Sequence, residues 1–168
     1  PGGGLMILEM LNILECFDLA SMGHNSAAYI ATVAEAMKLA TIDKDTSMGD
    51  PNFVDVPIER LMSKSYAQTL GDRIKAGEKA HVRRINSGAP ESKDTTHLVV
   101  ADSNGNVVNL THSLGSSSGV VTEGLGCMYN NCMMVFDRRQ GQVGSLAPGK
   151  ARFTAMCPTV LSRNDMPM

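Results

Sequence analysis

Thr95 and Thr96 stand side by side where a polar loop meets a strand-like run, in the stretch DTTHLVVADSNGNVVNLTHS (residues 94–113). A threonine hydroxyl attacks a carbonyl only when a base takes its proton. One solution needs no histidine or carboxylate partner. If the chain is cut before the threonine, the freed α-amino group, with a reference pKa of about 7.7–8.0, becomes the base. This chemistry asks for a scissile bond in a reachable loop, a threonine that begins a rigid strand, and hydroxyls on the neighbouring strand to hold the nucleophile. Asp94-Thr95 meets the first two demands by pattern, and a hairpin returns Thr111 and Ser113 to the neighbourhood of the strand's start. Threonine is also a common strand residue, and hydroxyls pair across hairpins for structural reasons, so the pattern alone leaves both readings open.

Other constellations are weaker. His97 and His112 fall in strand patterns where each reads as a satisfied or surface residue. No Gly-x-Ser-x-Gly turn, no carboxylate pair in an apolar setting and no phosphate-binding loop is present. Cys16, Cys127, Cys132 and Cys157 show no repeated pair spacing, and no His or acidic cluster completes a zinc set near Cys127 and Cys132. They read as buried free thiols. His81, Arg83 and Arg84 read as a solvated basic patch, and no metal or cofactor is expected.

The elements that must position the hydroxyls fall into two halves. Apolar residues at 5, 8, 11, 14 and 17 repeat at helical spacing after a Gly-rich entry. Asn25 or Ser26 can cap a second helix, SAAYIATVAEAMKLATID, whose Ala27, Ala31 and Ala34 suit close packing. DTSMGDPNFVDVP is expected to be irregular. PIERLMS and KSYAQTLGDRIKAG predict two short helices, the latter ended by Gly77. After an exposed connector the pattern turns to strands: THLVVAD and VVNLTHS flank Asn104-Gly105, which suits a two-residue hairpin turn. GSSSG (115–119) is expected as a loop, Asn130-Asn131 as a bend, and FTAMCPTVL as a buried strand with Pro158 at an edge or bulge. Helices followed by strands argue an α+β fold.

Composition excludes some classes. A chain of 168 residues makes about one domain, and 15 basic against 17 acidic residues give a net charge of −2, with no broad attraction to nucleic acid or anionic lipid. LMILEMLNILECF is broken by Glu9, Asn12 and Glu15, so no membrane span is expected and the chain reads as soluble. PGGGLMILEML has no signal-peptide pattern, and LSRNDMPM stops without a terminating pattern. Both ends read as the inside of a longer chain.

Four stretches, in order, resemble the gamma-glutamyltransferase family, also called gamma-glutamyl transpeptidases or glutathione hydrolases. PGGGLMILEMLNILECFDL is similar to the family's Gly-rich entry into its first helix here, and VAEAMKLATIDKDTSMGDPNFVDVP to the segment that ends in a Gly-Asp-Pro turn. DTTHLVVADSNGNVVNLTHS resembles the family's cleavage site and hairpin, and GSLAPGKARFTAMCPTV its later Ala-Pro-Gly-Lys and Ser-Pro-Thr stretch.

The resemblance implies an N-terminal nucleophile hydrolase with a four-layer αββα core, here incomplete. Its precursor cleaves itself into a large subunit ending in residues 1–94 and a small subunit opening with residues 95–168, and the enzyme transfers or hydrolyses gamma-glutamyl groups or related amides. Thr95 matches the nucleophile, Asp94-Thr95 the cleaved bond and Thr96 the residue after it. Ser113 matches a hydroxyl that holds the nucleophile. Departures lie around the substrate. Gly115 stands where an Asn is common, Cys132 and Val135 stand where Gln and Asp grip the substrate's α-amino group, and Thr154-Ala155 stands where two serines hold its carboxylate. An apolar Val135 cannot balance an ammonium, which removes a charge-assisted bond worth roughly 1.5–3 kcal/mol. Another acyl group, such as a beta-lactam side chain, is the alternative, and an inactive truncated product is a third. The family's carboxylate-gripping Arg lies upstream of Pro1 and its Gly-Gly oxyanion donors beyond Met168, so the 168-residue chain alone is expected to be inactive.

Overall fold

The computed structural model describes residues 2–83, 95–164 and 166–167. Its contacts divide the chain into two compact units, Pro1–Asn86 with Phe136–Ala155, and Ser87–Val135 with Met156–Met168.

The first unit is built on helices α1 (Gly3–Leu14), α2 (Ala27–Ser47), α3 (Ile58–Met62) and α4 (Lys64–Lys75). The Ser26 hydroxyl caps α2 by accepting the Tyr29 N–H, and the Ser63 hydroxyl caps α4 through the Tyr66 N–H. Gly77, at φ +81°, ends α4 in the left-handed conformation expected of a C-terminal glycine. Ile13, Ala36, Leu39, Ala67 and Leu70 form the core, with Leu14, Phe17, Tyr66 and Ile74 packed against it. Gly71 lets α4 come close to the turn that follows α1, since a Cβ there would lie 2.9 Å from the Cys16 Cβ.

The face that α2 buries differs from the alanine face expected. Ala27 and Ala31 are exposed, whereas Thr32, Glu35, Ala36, Leu39, Ala40 and Asp43 turn inward. The polar members of this face are tolerated because they are bonded: Glu35 pairs with Lys38 at 2.7 Å and accepts the Ala80 N–H at 2.9 Å. Asp43 accepts the Tyr66 hydroxyl at 2.8 Å and lies 3.5 Å from the Arg60 guanidinium. Helix α2 also runs on to Ser47, so the irregular segment begins later than DTSMG suggests. There the Asp50 carboxylate accepts the N–H groups of Asn52 at 3.0 Å and Ala151 at 2.7 Å, tying the Gly-Asp-Pro turn to the Ala-Pro-Gly-Lys loop.

In the second unit β1 (Thr95–Ala101) pairs antiparallel with β2 (Val107–Ser113), β3 (Ser117–Val121) with β4 (Met128–Asn130), and β5 (Ser162–Arg163) with β6 (Met166–Pro167). Helices plus small antiparallel sheets make the chain α+β. Three expectations change here. The hairpin turn is longer than two residues. Only Gly105, at φ +84°, is left-handed, and the Asp102 carboxylate accepts the N–H groups of Asn104 and Asn106, both at 2.9 Å. This is a turn that closes on one left-handed glycine, stabilised by an Asx side chain that competes well with a tighter turn. The second change is in GSSSG, part of which enters β3 because Ser117 finds a ladder partner in Asn130. The third is in FTAMCPTVL, where residues 151–161 carry no strand and are not buried. Pro158 lacks a donor, and no described strand pairs with the segment.

Asn130-Asn131 does mark a bend. The Asn130 side chain accepts the Cys132 N–H at 2.9 Å and the chain enters a short 3-10 helix, Cys132–Val135. All four cysteines are free, but Cys132 alone is buried; Cys16 and Cys157 are half-buried and Cys127 is exposed. Among the described residues, no helix is long and apolar enough to cross a membrane.

Candidate active site

The β1–β2 register sets Thr95 opposite Ser113, Thr96 opposite His112 and His97 opposite Thr111. Opposed residues share a face and successive residues alternate, so Thr95, His97, Thr111 and Ser113 lie together while Thr96 lies on the reverse. The Thr95 and Ser113 hydroxyl oxygens are 2.9 Å apart, and His97 Nδ1 is 2.9 Å from the Thr111 hydroxyl. The Ser113 oxygen also accepts the Gly115 N–H at 2.9 Å. Asp94 lies outside the described residues, as does Arg84 of the basic patch.

Behind Ser113 the chain makes a tight turn. Gly115 takes φ +70°, and a Cβ there would lie 2.8 Å from the Cys132 sulfur. The Cys132 thiol donates to the Leu114 carbonyl at 3.3 Å, and the Asn131 N–H donates to the Ser116 carbonyl at 2.8 Å. Thr95, Ser113, Gly115 and Cys132 are therefore brought together in one unit, through successive contacts, from positions spread over nearly forty residues. Thr154 lies in the helical unit, where its carbonyl accepts the Gly3 N–H at 3.1 Å. Val135 ends the 3-10 helix as an exposed apolar side chain.

Asn109 is a feature that sequence reasoning passed over. It shares the Thr95 face, opposite Val99, and its Nδ2 donates to the Thr159 carbonyl at 2.7 Å, holding the segment after Pro158 against the hairpin. Its Oδ1 is buried with no hydrogen-bond partner among the described residues. The one signal was a carboxamide inside an apolar strand.

Charge near the site is modest. At the far end of the hairpin, the Asn106 side-chain bond, followed by backbone N–H donors, holds the Asp102 carboxyl below its ordinary range. In the helical unit, Asp137 is lowered to about 2, chiefly by the Arg139 side chain at 2.6 Å and then by the Arg139 N–H. Among the described residues, no three His, Cys, Asp or Glu side chains converge so as to hold a metal ion. The hydroxyl pair at the start of β1 is suited to nucleophilic chemistry.

Comparison with known proteins bears on this arrangement. The family model described as gamma-glutamyltranspeptidase matches residues 1–168. The chain is 42% identical over 157 residues to the acylase ACY 1 proenzyme of Pseudomonas sp. (strain V22), covering 92% of this chain and 28% of that protein. It is 34% identical to the glutathione hydrolase proenzyme of Escherichia coli (strain K12), covering 96% of this chain and 30% of that protein. Among solved structures, cephalosporin acylase from Bacillus halodurans superposes with a TM-score of 0.75 at 28% identity, over 98% of this chain and 29% of that one. The chain thus spans less than a third of the length of these relatives. With a strand-initial threonine paired to a serine hydroxyl and a family match along its whole length, the chain belongs to the gamma-glutamyltranspeptidase family.

Proposed function

We propose that the protein carrying this chain cuts itself between Asp94 and Thr95 and then uses Thr95 as the nucleophile in acyl transfer from, or hydrolysis of, a gamma-glutamyl or related amide. The observation that carries the reading is the 2.9 Å contact of the Thr95 and Ser113 hydroxyls at the first residue of β1. The word proenzyme in the relatives' names agrees with a processed precursor.

In the cut, Thr95 Oγ1 bonds to the Asp94 carbonyl carbon, the Asp94–Thr95 C–N bond breaks, and the hydroxyl proton ends on the Thr95 nitrogen. Water then hydrolyses the ester, releasing the Asp94 carboxylate and restoring the Thr95 hydroxyl beside the amine already freed. In turnover that amine takes the Oγ1 proton as the oxygen attacks the substrate amide, and returns it to the departing nitrogen. Ser113 holds Oγ1 on line, Thr96 continues the strand that makes the nucleophile rigid, and the Thr154 hydroxyl is the remaining candidate for the substrate carboxylate. Residues 1–94 and 95–168 then fall to the large and small subunits of one precursor, within a four-layer αββα sandwich completed by the rest of the protein.

A second reading is an acylase with a non-glutamyl acyl substrate. Cys132 and the apolar Val135 favour it, since neither balances an α-ammonium, and so do the acylase names among the relatives. The test uses the complete reading frame. Intact mass of wild type beside Thr95→Ala should give two fragments divided between Asp94 and Thr95 in wild type only; one uncut chain in both would sink the proposal. Rates on a gamma-glutamyl anilide against a glutaryl anilide then separate the two substrate readings.

A further inference from the structure

We propose that Cys132 and Gly115 form a lock that aims the Ser113 hydroxyl at Thr95, so that Cys132 is a positioning residue and not a substrate ligand. The inference rests on the reading of Thr95 as nucleophile. It begins from burial: Cys132 is 8% exposed, and no other described residue of its unit is buried. A thiol so enclosed, in a unit otherwise open, is held by its neighbours. It donates to the Leu114 carbonyl at 3.3 Å, and its own N–H is taken by Asn130 Oδ1 at 2.9 Å. Its sulfur fills the space where a side chain at residue 115 would go, 2.8 Å from the place of a Cβ.

Gly115 answers to the same constraint. Its left-handed φ of +70° is costly for residues with a Cβ, and the sulfur closes the space as well. In that conformation its N–H meets the Ser113 oxygen at 2.9 Å. With this N–H accepted, the Ser113 oxygen is fixed 2.9 Å from Thr95 Oγ1. The N–H of Gly115 and the S–H of Cys132 are both spent inside the protein, so neither remains to grip an incoming acyl group. The pair therefore acts through Ser113.

Self-cleavage needs no substrate, and that separates the two roles. In the complete protein, Cys132→Ala is expected to slow self-cleavage and to lower kcat about tenfold with KM little changed, as befits one lost orienting hydrogen bond. Cys132→Ser, which restores a donor of similar shape, should recover most of both losses. Intact-mass time courses and steady-state rates on gamma-glutamyl and glutaryl anilides measure them. If Cys132→Ala cleaves itself at the wild-type rate and changes KM alone, the lock is overturned and Cys132 contacts substrate. Should Cys132→Ala fail to fold, Cys132→Thr decides, its extra methyl pressing on Gly115: slowed self-cleavage supports the lock, and an unchanged rate overturns it. If wild type itself stays uncut, the reading of Thr95 fails first, which is a different result.

Discussion

The helical unit and the hairpin unit are held together in different ways. In the first, Ile13, Ala36 and Ala40 are fully buried and an apolar core joins α1, α2 and α4. In the second, both β-hairpin strands carry exposed Leu98, Val100, Val108 and Leu110, and Cys132 is the one buried residue described. The candidate site is kept in shape by hydrogen bonds and one left-handed glycine. Burial of apolar surface tolerates small displacements, whereas an oxygen-to-oxygen distance does not. The difference predicts that damage to the first unit appears as lost stability, and damage to the second as lost chemistry.

The largest effect should come from the core. Leu39 is 5% exposed on the buried face of α2, and Leu39→Ala is expected to cost about 2–5 kcal/mol. Denaturant unfolding of the complete protein would measure it, while the self-cleavage rate of the folded fraction stays near wild type. A folded fraction that no longer cleaves would break the comparison.

Burial of charge gives the next effect. Glu9 is completely buried and its carboxyl is raised to about 8 from an ordinary 4.5, first by burial and then by its neighbour Asp43, with Arg60 opposing. The folded state then holds a proton that the unfolded chain releases. Stability should fall as pH rises from about 4.5 to about 8 and level off above. Glu9→Gln keeps the shape and removes this slope, so its advantage over wild type should grow across the same window, by up to about 1.4 kcal/mol per pH unit. Melting temperatures from pH 5 to pH 9 would show this, and parallel curves for the two proteins would refute it.

Two glycines sharpen the contrast further. Gly71 and Gly115 each leave no room for a Cβ, against Cys16 in one unit and Cys132 in the other. Gly71→Ala is expected to lower stability by about 1–3 kcal/mol through overpacking. Gly115→Ala, strained at φ +70°, should instead slow self-cleavage at least as much as Cys132→Ala. Similar melting losses with similar cleavage rates in both variants would erase the distinction. At Ser113 itself, through which Gly115 and Cys132 act, Ser113→Ala loses the hydrogen bond to Thr95 and should slow self-cleavage about tenfold, no less than Cys132→Ala, with Ser113→Thr partly restoring it.

Much of this was legible in the chain itself. Ser26 before α2, Gly77 after α4 and the alternation around Asn104-Gly105 act locally, through residues a few positions away, so a short window of sequence contains their cause. The return of Thr111 and Ser113 to the neighbourhood of Thr95 was readable for the same reason. The register that sets Thr95 opposite Ser113 was not, because the turn is longer than the two residues expected and a one-residue slip would turn the side chains to the other face.

Contacts between distant segments were not readable. Which face α2 buries depends on Tyr66 and Arg60 being present to bond Asp43, and helical periodicity contains no record of that. The FTAMCPTVL stretch has strand-like residues, yet a strand exists only where a partner takes its N–H and C=O groups, and β-propensity cannot supply one. Residue types and their spacing determined by themselves that a hydroxyl at a strand start was available for nucleophilic chemistry. Only the tertiary structure decided that Cys132 closes against Gly115 behind it, because excluded volume between residues far apart in the chain is settled by packing in three dimensions.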